Sequence, residues 1–129
     1  MSITPLVNSA NHKSVFRKAF FVCEETCSGQ GRGTYMNNFG RLYYELGQFE
    51  KAVEYLKDGL KISKETGDKE AEGTCYDNLG TVYYRMGQFD KSMEHHAKSL
   101  QIAQLIGHRS GEATSYGHLG SVHTALGRV

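Results

Sequence analysis

The chain has 129 residues, 39% of them hydrophobic and 22% charged, which suits one globular domain with a buried core. Its 15 Lys and Arg nearly balance 14 Asp and Glu, for a formal net charge of +1. That balance disfavours a nucleic-acid partner, because phosphate binding draws on a clear basic excess.

Residues 1–12 lack the basic n-region and following apolar stretch of a signal peptide and are expected to be poorly ordered. Over 13–27, Phe16, Phe20, Cys23 and Cys27 fall on one stripe at helical spacing, which predicts a helix. The C-x3-C pair on that stripe reads as core rather than as a metal or redox pair. Three cysteines form no secreted-type framework, and a reducing, cytoplasmic setting is expected. The longest apolar run, Ala19 to Cys23, is far too short to span a membrane. "GQGRG" (29–33) has no preceding strand and no GK[ST] ending, so it reads as a flexible joint rather than a phosphate loop.

From Gly33 onward the chain repeats itself. "YYELGQFEK" at Tyr43–Lys51 returns as "YYRMGQFDK" at Tyr83–Lys91, and residues 33–72 lie over 73–112 at an offset of forty. Residues 113–129 begin a third copy, and 13–32 match the second half of an earlier, decayed one. A fixed period of this length marks a stacked-repeat architecture.

Each copy reads as two helices. Met36, Phe39, Tyr43 and Leu46 keep the rhythm of one helical face, and Phe49, Ala52, Val53, Leu56, Leu60 and Ser63 keep it again after Gly47. Tyr76, Leu79, Tyr83 and Met86, then Phe89, Met93, His96, Leu100 and Ala103, do the same on either side of Gly87. Gly67-Asp68 supplies a helix-ending glycine followed by an N-capping aspartate. Gly40 and Gly80 are expected to let paired helices approach closely. No stretch alternates with period two.

The motif "YDNLGTVY" (76–83) with Ser92, Ser99 and Leu100, and "MNNFGRLY" (36–43) with Ala52 and Leu60, resembles the tetratricopeptide repeat. Met36, Tyr76 and Tyr116 stand where that family carries tryptophan, and its proline after the second helix is absent. The forty-residue period exceeds the family's usual ~34 and is similar to the longer repeats of G-protein-signalling modulators. The resemblance implies an all-α, right-handed α-solenoid of antiparallel helix pairs, with a degenerate half repeat at 13–32, repeats at 33–72 and 73–112, and a closing helix within 113–129.

In that family the first helices line a concave groove. With the core stripe set aside, the groove face is expected to carry Asn37, Asn38, Arg41, Tyr44 and Glu45 in one copy. The next presents Asp77, Asn78, Thr81, Tyr84 and Arg85, and the partial third His118 and Ser121, with Gly117 and Thr124 beside them. Amides satisfy both donors and acceptors of an extended backbone, and tyrosine and arginine supply contact area at little entropic cost. The resemblance implies that Asn38 and Asn78 hold a ligand's main chain. It also argues against a clamp for a C-terminal carboxylate, since Thr34, Thr74, Asn37 and Asp77 stand where its lysines belong.

Other constellations lead nowhere at this level. His95 and His96 point about 100° apart on a helix, and His118 and His123 share no face, so no metal site is expected and no cofactor is implied. No Ser-His-Asp or paired-carboxylate arrangement is visible. The reading is a non-catalytic scaffold that binds a peptide segment of a partner protein. The alternative is a structural segment of a longer array, or a self-assembling unit, without its own groove ligand. RNA reading by helix pairs is disfavoured by the neutral charge. The apolar face of 13–27, with no first helix to pair with, calls for cover by a second copy or by further repeats.

Overall fold

In the computed structural model, which describes residues 29–127, the chain turns wherever a glycine follows a long amphipathic stretch. Helix α1 (Gly29–Glu45) is followed by α2 (Phe49–Thr66), α3 (Lys69–Arg85), α4 (Phe89–Ile106) and α5 (Arg109–Ala125). Every regular element among the described residues is a helix. Two kinds of turn alternate. Within a pair, Gly47 and Gly87 take φ of 79° and 80°, and the N–H groups of Gln48 and Gln88 donate back to the Tyr43 and Tyr83 carbonyls at 2.9 Å. A Cβ at either glycine would meet nothing, so the left-handed backbone, not space, demands glycine there. Between pairs, Gly67 ends α2 and the Asp68 carboxylate caps α3, accepting the Ala71 N–H at 3.1 Å.

These short turns fold α1 against α2 and α3 against α4. The pairs then stack through α2 on α3 and α4 on α5, while the first helices α1, α3 and α5 line up side by side. The result is the all-α solenoid of helix pairs that the repeat implies. Its core is the repeated stripe: Phe39 and Tyr43 with Ala52 and Leu56, then Leu79, Val82 and Tyr83, all buried. Tyr43 stacks on Tyr55 with ring centroids 5.2 Å apart. Full burial of Leu56 is worth ~1.5–3 kcal/mol by transfer alone. Cys75 is also buried, and burial pushes its thiol up to about 12 against the pull of a Ser63 hydrogen bond.

Inside each pair the helices meet at a glycine. Gly40 presses against Leu56, and a Cβ on Gly80 would come within 2.7 Å of the His96 ring. The Ser92 hydroxyl donates to the Gly80 carbonyl at 2.7 Å and seals the same contact.

Two expectations need correction. Gly29–Gly33, expected as a flexible joint, forms the first turn of α1. Helix starts are set by the turn chemistry, not by the phase of the sequence match, and α3 and α5 likewise begin at Lys69 and Arg109, four residues ahead of the matched blocks. Gly33 is needed inside the helix because a Cβ there would lie 2.8 Å from the Ser63 hydroxyl. The closing helix for the same reason starts at Arg109 rather than Ala113. The order of residues 1–12, the helix at 13–27 with Cys23 and Cys27, and dimerisation through it lie outside the described residues.

Gly80 and Gly120 occupy the same place in the motif, but a Cβ at Gly120 would meet nothing within 4 Å. Gly80→Ala should therefore lower stability by ~1–3 kcal/mol through overpacking against His96. Gly120→Ala should be neutral or raise stability by up to ~1 kcal/mol from helix propensity. Urea unfolding followed by circular dichroism checks both, and equal effects would show that the helices do not meet at Gly80.

Candidate functional site

The first helices do not lie in simple register. Residues forty apart are equivalent, yet the hydrogen bonds between neighbouring first helices join residues forty-one apart. Asn78 donates its amide N–H to Asn37 Oδ1 at 2.7 Å. Arg85 Nη1 donates to the Tyr44 hydroxyl at 3.3 Å, with the guanidinium 5.8 Å above the Tyr44 ring. His118 Nδ1 donates to Asp77 Oδ1 at 2.9 Å. Adjacent residues on a helix point ~100° apart, so one position of each first helix reaches forward and the next reaches back.

Between these rungs the concave face opens into two adjoining hollows. One, of about 240 Å³, is lined by Arg41, Tyr44, Glu45, Asp77, Asn78, Thr81 and His118 among others. The second, of about 310 Å³, is lined by Tyr44, Thr81, Tyr84, Arg85, His96, His118, Ser121 and Val122. A smaller hollow of about 160 Å³ continues from Asp77 toward the starts of α3 and α5, past Glu70, Thr74, Ser110 and Thr114. The aromatic walls are braced from the second helices: Tyr44 lies 5.9 Å from Phe49 and Tyr84 lies 5.4 Å from Phe89.

Of the residues expected on this face, Arg41, Tyr44, Asp77, Asn78, Thr81, Tyr84, Arg85, His118 and Ser121 are brought together around the two hollows. Asn37 and Asn38 are not. Asn37 reaches forward, is 7% exposed and is engaged by Asn78. Asn38 is exposed and borders neither hollow. Asn78 is half-buried and donates one amide N–H to Asn37, a side chain that carries a second N–H and an oxygen acceptor besides.

The groove floor holds a cluster that helical spacing does not reveal. Asp77 Oδ1 accepts from His96 Nδ1 and from His118 Nδ1, each at 2.9 Å. The two imidazole centroids are 4.6 Å apart. Burial drives the Asp77 carboxyl upward, but the bonds from His118 and His96 more than offset it and hold it at about 2. The same bond raises His118 above the ordinary histidine value, against a smaller opposing effect of burial. His95 is half-buried and packs 5.0 Å from the Tyr83 ring. Burial lowers its pKa.

A family model described as Tetratricopeptide repeat matches residues 67–129, and a second of the same description matches residues 32–66. Among solved structures, BtubC (BKLC) from P. vanneervenii is similar at a TM-score of 0.79 and 23% identity, over 88% of this chain and 47% of that one. The TPR domain of Arabidopsis FLU is similar at 0.73 and 22%, over 78% of this chain and 85% of that domain. A signal transduction ATPase with numerous domains and a tetratricopeptide repeat sensor, from Pyrococcus horikoshii, is similar at 0.77 and 21%, over 85% of this chain and 17% of that one. At these identities the likeness concerns the fold. The chain thus spans about half the length of BtubC and a small part of the ATPase. No curated protein is significantly similar to the chain.

Asp77 is the shared acceptor for two imidazoles, one of them 2% exposed. Asp77→Ala should cost ~1–3 kcal/mol, the usual penalty for a buried donor left without a partner. Asp77→Asn should cost less, because an amide oxygen accepts at the same place, as Asn37 does one repeat earlier. Denaturant unfolding of the two variants gives the comparison.

Proposed function

Since the chain belongs to the tetratricopeptide-repeat family, we propose that it is a non-catalytic protein-interaction scaffold whose concave groove takes an extended peptide segment of a partner protein. The observation that carries this is the pair of adjoining hollows along α1, α3 and α5, walled by Tyr44 and Tyr84 and edged by Arg41 and Arg85. Aromatic and arginine side chains of this kind give large contact area for little lost entropy. Thr81 and Ser121, whose hydroxyls donate to the Asp77 and Gly117 carbonyls, offer oxygen acceptors to the N–H groups of a peptide backbone, while Asn78 also fixes the first two repeats in register. Asn38 extends the contact surface at the exposed end of α1.

The forty-residue period and helices of 17 and 18 residues support the longer repeat form of G-protein-signalling modulators. We place the protein in the cytoplasm. Among the described residues no helix is long and apolar enough to cross a membrane. Neither nucleic acid nor a cofactor enters this reading of the groove.

A second reading, a segment of a longer array, is favoured by one observation. Leu105, Ile106 and Tyr116 are 70%, 40% and 54% exposed near the junction of α4 and α5, where a further helix would cover them.

Selection of a displayed library of short peptides against the chain, followed by titration of the enriched peptides, separates the two. Arg41 and Arg85 are both exposed, so Arg41→Glu with Arg85→Glu should leave the helical signal intact. The double variant should weaken enriched peptides at least tenfold, as loss of central contacts does. Peptides that bind both forms equally would place the site off the groove, and the absence of any enriched peptide would favour the array.

A further inference from the structure

The junction between the second and third repeats differs from the one before it at three equivalent positions at once. At the first junction, Asn37 of α1 accepts from Asn78 of α3, and Leu56 of α2 fills the space above Gly40. At the second, the corresponding residues are Asp77, His118 and His96. The first junction shows that an amide pair and a leucine suffice to pack and align these helices. The replacements add nothing that packing needs, and each introduces a side chain that binds metal ions.

We propose that Asp77, His96 and His118 form a binding site for a divalent transition-metal cation of the Zn²⁺ class on the floor of the concave groove. One ligand atom from each residue lies within 4.8 Å of the other two, and Asp77 Oδ1 is 2.9 Å from both Nδ1 atoms. Imidazole nitrogen and carboxylate oxygen bind such ions at ~2.0–2.2 Å, so two ligands at a right angle stand ~3 Å apart and two at a tetrahedral angle ~3.4 Å. The two carboxylate–imidazole separations need adjustments of only a few tenths of an ångström, and the two imidazoles, with ligand atoms within 4.8 Å of each other, close in on the ion by turning about their side-chain bonds. Two imidazoles and one carboxylate suit zinc, iron, cobalt or nickel, whereas calcium and magnesium prefer oxygen alone.

The three ligands come from α3, α4 and α5, and they differ in access. His96 is 2% exposed, held against Gly80, while Asp77 and His118 are 20% and 38% exposed. The open side of the site therefore faces the hollows, which leaves coordination positions for water. The ion takes the place of the two hydrogens that bridge Nδ1 to Oδ1, and each neutral imidazole carries its hydrogen on Nε2 instead. Such a site stands whether or not the groove takes a peptide.

Calorimetric titration of Zn²⁺ into the chelator-treated chain, with no peptide present, tests the site directly. One ion per chain should bind at micromolar concentration and raise the melting temperature, and Co²⁺ should give visible absorption bands of nitrogen and oxygen coordination. His96→Leu, His118→Asn and Asp77→Asn each install the residue of the first junction, so the fold has a template for all three. Each should weaken Zn²⁺ at least tenfold and remove the thermal shift while keeping a cooperative helical transition. No uptake by the unsubstituted chain would overturn the proposal, as would three variants that bind like it, which would place the ion elsewhere.

Discussion

The absence of a side chain at Gly80 is the constraint from which most of the second and third repeats follow. A helix pair that touches backbone to ring at this point can bring α4 so close that His96 leaves solvent and reaches across to Asp77 on the concave side of α3. Without that approach, His96 would still lie on the core stripe between Met93 and Leu100, but farther from Asp77. The equivalent contact of Gly40 with Leu56 shows the same geometry serving packing alone. One backbone requirement thus accepts two chemically different partners, and the choice of partner decides what the groove floor contains.

The second constraint is the one-residue offset between neighbouring first helices. It divides a face that a helical wheel treats as uniform into residues reaching forward, residues reaching back and residues left facing the hollows. Asn37 and Asp77 reach forward, Asn78 and His118 reach back. Thr81, Tyr84 and Ser121 remain facing the hollows. Hydrogen bonds of this kind are modest singly, ~0.5–1.5 kcal/mol, yet they come at every junction and fix how the repeats twist past one another.

The fold was legible because periodicity is a property of the sequence itself: matching Tyr43 to Tyr83 and Gly47 to Gly87 needs no coordinates. Helix starts were less so, since the matched blocks begin four residues inside α1 and α3. Asp68 marked the true start of α3, but Gly29–Gly33 has no such cap and its glycines suggested a joint. Most of the residues that line the two hollows were legible by subtraction of the core stripe. Asn37 was not, because burial between repeats depends on the offset, which no single repeat displays. The Asp77 cluster escaped for a related reason. His96 and His118 sit on different helices, and tests of spacing within one helix pair His96 with His95 instead. The readable signal lay in comparing junctions: Asn37, Leu56 and Asn78 against Asp77, His96 and His118.

In a repeat stack each unit touches only its neighbours, so stability is close to a sum of unit and junction contributions. The first junction here is held by an amide pair, apolar packing and the contact of Arg85 with Tyr44. The second is held by a carboxylate between two imidazoles at 2.9 Å, groups whose mutual attraction depends on their charge and on any cation they share. The same pair of hollows spans both junctions, with His118 lining each of them. Whatever alters the Asp77 cluster therefore bears on the relative placement of α3 and α5, and with it the distance between the Tyr84 wall and the hydroxyl of Ser121.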